Sequence, residues 1–369
     1  MTFLQDLQSR NLPPVLPEGM TPGQWPAYRR QLLELFSREE YGFTPPAPAE
    51  VRCEELPFGG KNWAGKAQER RVSLSFDTPN GEFSFPVNFV LPVDPKNGEL
   101  LEKSPLVTYI SFKPYPDTYY LPVEEIIDNG YALATFDYNA VSLDERGGWL
   151  ANGLATMYPR REDGTDWGQC GMWAFAASRV LDYALTLDEI DADRIFVAGH
   201  SRLGKTALWC AAQDERFAGV GVNDSGFGGM AITRGKQGEQ MRHLAGRIER
   251  WFCKNFLNWV ERENDMPFDS HMLGALIAPR LLAVCNAELD IWADPQSEFM
   301  AVYEASKAYE LLGLPGFIAP AEYPPVGAQF PEGRIGYSLR AGTHFMSRHD
   351  WGFYLNFWNR EQSEDNLWE

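Results

Sequence analysis

Six short runs of this chain are apolar almost from end to end: PLVTYISF, YALATFDY, RIFVAG, FAGVGVND, PRLLAVCNA and IGYSLRAG. Each is too short for an independent helix and lacks the polar alternate positions of a half-wet strand, so each reads as a strand covered on both faces. Helical segments separate them, among them LPVEEIIDNG, DWGQCGMWAFAASRVLDYALTL, RLGKTALWCAAQD and SEFMAVYEASKAYELLG. Strands alternating with helices predict an α/β chain with a doubly wound, mostly parallel sheet. Ahead of that series, RRVSLSFDT and EFSFPVNFVLP flank PNG, which predicts an antiparallel hairpin at the start of the sheet. Residues 1–45 read as an N-terminal unit. It comprises a Pro-rich stretch running over the surface and a helix, WPAYRRQLLELFSREEYG, closed at Gly42. Residues 46–369 then form a single domain. The stretch around 226–270, too long for a simple crossover, predicts a helical insertion near the active face.

Charge and cysteine content narrow the partners. A formal net charge of −18 repels nucleic acid and anionic membrane surfaces and leaves a small neutral substrate open. No apolar stretch reaches the ~20 residues of a membrane span, and no basic segment followed by an apolar one opens the chain, so the expectation is a cytoplasmic protein. The five cysteines are odd in number, scattered and without a C-x-x-C pair, which points neither to zinc nor to a disulfide framework. Twelve Trp and 15 Tyr form a large aromatic complement. It serves either a core or a sugar-binding cleft, since flat rings with polar edges suit pyranose faces.

VAGHSRLGKTAL, residues 197–208, fits two incompatible signatures. Gly199-x-x-x-x-Gly204-Lys205-Thr206 spells a phosphate-cradling P-loop, and RLLAVCNAELD could supply its acidic Mg²⁺ partner. Gly199-His200-Ser201 after an apolar strand also begins a nucleophile elbow, with Gly204 one residue later than the strict G-x-S-x-G pattern and Leu203 in its place. The order of residues downstream favours the elbow. Ser201, Asp290 and His344 each follow a predicted strand, in the order nucleophile, acid, base. A P-loop would normally open its nucleotide-binding core, whereas several strands precede this one. Asp224, in VNDSG, stands at the end of the strand after the nucleophile helix and competes with Asp290 as the acid; Glu288 and Asp294 read as solvated or structural. Among the other histidines, His200 is expected to face away from Ser201 by strand alternation, and His243, His271 and His349 fall on predicted helices.

GHSRLGKTALW, VNDSGFGG, FDSHMLGALIAPRLL, DIWADP and AGTHFMSRHDW together resemble the glucuronoyl esterase family of carbohydrate esterases and its acetylxylan-esterase-like bacterial relatives, over roughly residues 80–360. The resemblance implies an α/β-hydrolase fold, a Ser-His-acid triad, and neither metal nor cofactor. It implies that Ser201 is the nucleophile, His344 the base, and Asp290 or Asp224 the acid. Arg202 would turn its guanidinium toward the oxyanion. Lys205, one helical turn after Ser201, Glu239 in KQGEQ and Trp292 in DIW would contact the sugar. The turn SFKPYPDTYY would add a second oxyanion amide. The substrate is then a glucuronoyl ester of a xylan-derived saccharide, with an acetylated saccharide as the alternative. A non-catalytic carbohydrate-binding protein on the same fold is the reading from another class.

Overall fold

The computed structural model describes residues 2–58, 60, 63–116 and 120–365. Ten strands form one sheet: β1 (Arg52–Glu55), β2 (Ala67–Thr78), β3 (Gly81–Pro92), β4 (Ser104–Ser111), β5 (Ala132–Asp137), β6 (Ile190–His200), β7 (Gly219–Asn223), β8 (Leu281–Ala287), β9 (Gln329–Phe330) and β10 (Ile335–Arg340). Their spatial order is β1-β2-β3-β5-β4-β6-β7-β8-β10-β9. From β5 to β10 neighbouring strands run parallel, while β1, β2 and β3 are antiparallel to one another and β3 to β5. This is the α/β-hydrolase arrangement, with the antiparallel hairpin at its leading side. The chain steps from β4 to β5 on one side and returns to β6 on the other. The crevice outside the carboxyl ends of β4 and β6 is therefore a topological switch point, where ligands bind in such sheets.

β4, β7, β8 and β10 are buried at every position. Alternate residues feed two separate cores. Leu106, Ile110, Val197, Val220, Leu282 and Val284 pack with the helices Gln169–Ala184, Arg202–Gln213 and Pro295–Leu311. On the other face Val107, Tyr109, Ala198, Ala283 and Cys285 pack under Val123–Asp128 and the C-terminal helix Arg348–Asp365. Among the described residues no helix is long and apolar enough to cross a membrane.

The N-terminal segment shares the first of these cores. Phe3, Trp25, Phe36 and Tyr41 belong to it, and the Tyr41 ring stacks on Trp209 of the helix after Ser201 at 4.3 Å. Polar ties reinforce the contact. Tyr41 Oη donates to the Gly228 carbonyl (2.6 Å), Arg29 to those of Leu276 (2.9 Å) and Ala212 (2.7 Å), and Arg10 to that of Arg234 (2.7 Å). The Pro-rich stretch is therefore anchored through buried side chains rather than merely laid over the surface. The stretch 226–270 carries the helix Met241–Trp251 and two 3₁₀ turns, Lys254–Trp259 and Glu263–Asp265.

Candidate active site

The loop at residues 199–206 turns three of its amides, those of Ser201, Gly204 and Lys205, onto backbone carbonyls. Ser201 N donates to the Asn223 carbonyl of β7 at 2.9 Å, and Gly204 N and Lys205 N both donate to the Ser201 carbonyl (2.8 and 3.2 Å). Thr206 Oγ1 donates to the Arg202 carbonyl, and the Lys205 and Thr206 side chains are buried. No ring of free N–H groups remains to close on a phosphate, which a P-loop requires. What the loop does instead is hold Ser201 at φ 58°, ψ −128°, between β6 and the helix Arg202–Gln213. Both glycines are sterically required. A Cβ on Gly199 would sit 2.1 Å from the Leu203 carbonyl oxygen, and one on Gly204 would sit 3.0 Å from that of Asn223. The displaced second glycine of G-x-S-x-x-G is thus the residue that meets the neighbouring strand, while Leu203 turns into the core.

Three strand ends bring a serine, a carboxylate and a histidine together. His344, in the turn after β10, has Nε2 2.9 Å from Ser201 Oγ and Nδ1 2.6 Å from Asp290 Oδ2, in the turn after β8. Asp290 is buried, whereas the His344 side chain is 43 % exposed, so the relay runs from the interior to an open surface. Asp224, at the end of β7, lies in the same cluster: ligand-capable atoms of Asp224, Asp290 and His344 are within 4.8 Å of one another. This is the one such group among the described residues with the spacing of a metal site. As arranged, however, both ring nitrogens of His344 are engaged in the relay. Asp224 makes no hydrogen bond to His344. Its Oδ1 accepts from Ala287 N (2.9 Å), and its Oδ2 lies 3.8 Å from Arg340 without a hydrogen-bond partner. Burial, then the charges of Asp290 and Asp350, push its carboxyl well above the usual range. Asp294, a possible competitor, caps the helix Pro295–Leu311 through Ser297.

His200 departs from expectation. Its ring does not face away but packs 4.5 Å from that of His344 and 4.9 Å from Tyr120, with Nδ1 2.6 Å from Asn223 Oδ1. Strand alternation carries only as far as the strand, and the left-handed step at Ser201 breaks it. Burial, then the neighbouring His344, lowers the His200 pKa to about 3, so a neutral ring backs the relay. His243, His271 and His349 do lie on helices.

The cations beside Ser201 are committed to carboxylates. Arg202 Nη1 bonds Asp144 Oδ2, and its guanidinium lies 4.8 Å from the centre of the Trp251 ring. Lys205 Nζ is 3.6 Å from Glu239 Oε2, with the two side chains 3 % and 8 % exposed. Trp292 is half exposed and stacks on His243 at 5.6 Å. Its carbonyl accepts from Glu239 N (2.8 Å) and Lys236 Nζ (3.0 Å), tying the loop 235–240 to the loop 290–294. The proposed second oxyanion amide falls in a turn of which residues 117–119 lie outside the described residues. Sequence reasoning missed Asp144 and Trp251, which come from a long loop and from the insertion and carry no motif.

A family model described as "Glucuronyl esterase, fungi" matches residues 97–313, more than half of the chain and a span containing Ser201, Asp224 and Asp290. The chain belongs to the glucuronoyl esterase family. A solved glucuronoyl esterase from Solibacter usitatus superposes with a TM-score of 0.85 at 32 % identity, over 94 % of this chain and 97 % of that one. A carbohydrate esterase of an unknown prokaryotic organism is 37 % identical over 239 residues, 64 % of this chain and 54 % of the relative. A 4-O-methyl-glucuronoyl methylesterase of Podospora anserina is 28 % identical over 334 residues, 86 % of this chain and 63 % of the relative. The chain therefore spans between half and two thirds of the length of these two curated relatives.

Proposed function

We propose that the protein is a serine esterase that hydrolyses a glucuronoyl ester, a 4-O-methyl-glucuronate ester of a xylan-derived saccharide, through an acyl-enzyme. The observation that carries this reading is the hydrogen-bonded series Ser201, His344, Asp290, built on the elbow of a glucuronoyl esterase family member. In this mechanism His344 takes the Ser201 hydroxyl proton as Oγ attacks the ester carbonyl. Asp290 holds the imidazole with Nδ1–H toward itself and stabilises the imidazolium. The Arg202 backbone N–H and guanidinium face the oxygen that becomes negative. His344 then protonates the leaving alcohol, and water repeats the cycle on the acyl-enzyme to release the uronic acid. Lys205, Glu239 and Trp292 are the groups assigned to the sugar. The exposed edge of His344 and the half-exposed Trp292 suit a saccharide approaching across an open surface.

The test is parallel hydrolysis of the methyl ester of 4-O-methyl-glucuronate, acetylated xylo-oligosaccharides and 4-nitrophenyl acetate. The glucuronate ester should have a kcat/KM at least tenfold above the acetylated saccharide. Preference for the acetyl ester would assign the sugar to the leaving side and overturn the reading.

A further inference from the structure

Asp144 sits on the long loop between β5 and the helix Gln169–Ala184, yet its side chain is only 2 % exposed. Its carboxylate accepts hydrogen bonds from Arg202 Nη1 and from Trp251 Nε1 (3.1 Å), and it is ion-paired with Arg250, whose Nη2 lies 3.0 Å from Oδ1. The loop beneath it is pinned. Asp144 N donates to Asn139 Oδ1 (3.0 Å), Gln169 Nε2 to the Leu143 carbonyl (2.9 Å), and Trp173 Nε1 to the Ser142 carbonyl (3.0 Å). Arg202 is thus held on two sides, by the carboxylate at Nη1 and by the face of Trp251, whose own N–H is fixed by the same carboxylate. Arg202 Nε is buried and makes no hydrogen bond, so part of the guanidinium fork remains unspent.

An arginine acting on a developing oxyanion is useful only if it is already in place, because a long side chain that must be ordered during the reaction loses much of its benefit. A carboxylate alone would fix it but would also cancel its charge. Here Arg250 shares the carboxylate, so the cluster Asp144, Arg202, Arg250 keeps one net positive charge beside Ser201.

We infer that Asp144 is a positioning residue for the hydrolysis: it clamps the Arg202 guanidinium against Trp251, with Arg250 as the countercharge that preserves the cation's effect. The inference rests on the reading of Arg202 as facing the oxyanion.

The experiment is a double-mutant cycle of Asp144→Asn and Arg202→Ala, assayed on the methyl glucuronate ester and on 4-nitrophenyl acetate. Arg202→Ala should lower kcat on both substrates by about 100-fold. Asp144→Asn should lower kcat on both by about tenfold with KM within twofold, and should add less than twofold once Arg202 is absent. An Asp144→Asn loss of the same factor in the Arg202→Ala background would mean that Asp144 only shapes the loop, and overturns the inference. An intact kcat in Asp144→Asn, with Arg202→Ala impaired, overturns the inference and leaves the role of Arg202 standing. An intact kcat in Arg202→Ala overturns both. If melting shows that Asp144→Asn does not fold, Asp144→Glu, which keeps the charge but moves it by a methylene, takes its place in the cycle. It should lose at least threefold in kcat only when Arg202 is present.

Discussion

Ser201 is held where an L-residue is strained, and this makes the stability of two inactive variants informative. At φ 58° and ψ −128° its Cβ clashes with its own backbone, a conformation that costs about 1–3 kcal/mol. Ser201→Ala and Ser201→Gly both remove Oγ and its 2.9 Å contact with His344, so they differ in the Cβ alone. Alanine keeps the strain. Glycine relieves it but adds unfolded-chain entropy of about 0.4–1 kcal/mol. The balance makes Ser201→Gly more stable than Ser201→Ala by about 1 kcal/mol. Unfolding entropy of about 2.1 cal/mol/K per residue makes that only ~1 °C in Tm for a chain of this length, so equilibrium urea unfolding is the better assay. Both variants should be inactive on 4-nitrophenyl acetate. An alanine variant as stable as the glycine one would refute the argument, because the elbow would then hold Ser201 without strain.

Glu298 is buried beneath the turn after β7, where Oε1 accepts from Ser225 Oγ (3.0 Å) and Gly226 N (2.5 Å). Burial raises its pKa from 4.5 to about 7, so the folded protein binds more protons than the unfolded chain between those values. Stability therefore falls as pH rises from about 4.5 to 7, and the stability of Glu298→Gln relative to wild type should rise between pH 5 and pH 8; a pH-independent difference in urea unfolding would exclude the shift. Asp290→Asn should lower kcat by about 10³–10⁴-fold, because the imidazole loses the acceptor that fixes its tautomer. Asp224→Asn should cost less than tenfold, since burial favours its neutral form, for which Asn is a close substitute; equal losses would reject the assignment. Glu239→Gln leaves Lys205 buried without its countercharge and should cost about 3 kcal/mol of stability and raise KM for the glucuronate ester. A Lys205→Met, Glu239→Gln double variant should regain part of that stability; simple additivity would show that the two charges do not interact.

The central strands and the relay were legible because their signals are local. A continuous apolar run marks a strand buried on both faces, and Ser201, Asp290 and His344 each stand just past one. β1 gave no such sign, since Arg52–Glu55 is an exposed edge strand of polar residues. The helix expected at His349 runs to Asp365, and Trp351, Tyr354, Leu355 and Trp358 recur along it at helical spacing and are all buried. Contacts between residues far apart in sequence were beyond reach. Nothing in GHSRLG announces that Arg202 will meet Asp144, 58 residues earlier, or that Lys205 will meet Glu239. The behaviour of His200 was misjudged for a related reason: a period-two argument ends where the backbone turns left-handed.

The anchoring of the N-terminal segment also sets a timetable for biosynthesis. Tyr41, Arg10 and Arg29 leave the ribosome early, but the carbonyls they bind lie 187 (Tyr41 to Gly228), 224 (Arg10 to Arg234), 183 and 247 (Arg29 to Ala212 and Leu276) residues downstream. At about 5–20 residues per second, that is a wait of roughly 10–50 s during which Phe3, Trp25 and Phe36 have no core to enter. The opening segment therefore locks only after those downstream residues have emerged, closing a loop of about half the chain. Its docking sites include the carbonyls of Gly228 and Arg234, on the stretch leading to Glu239. Displacing residues 3–41 would thus be felt in the stretch 228–239, first as slow maturation and then as a loosened loop around Glu239.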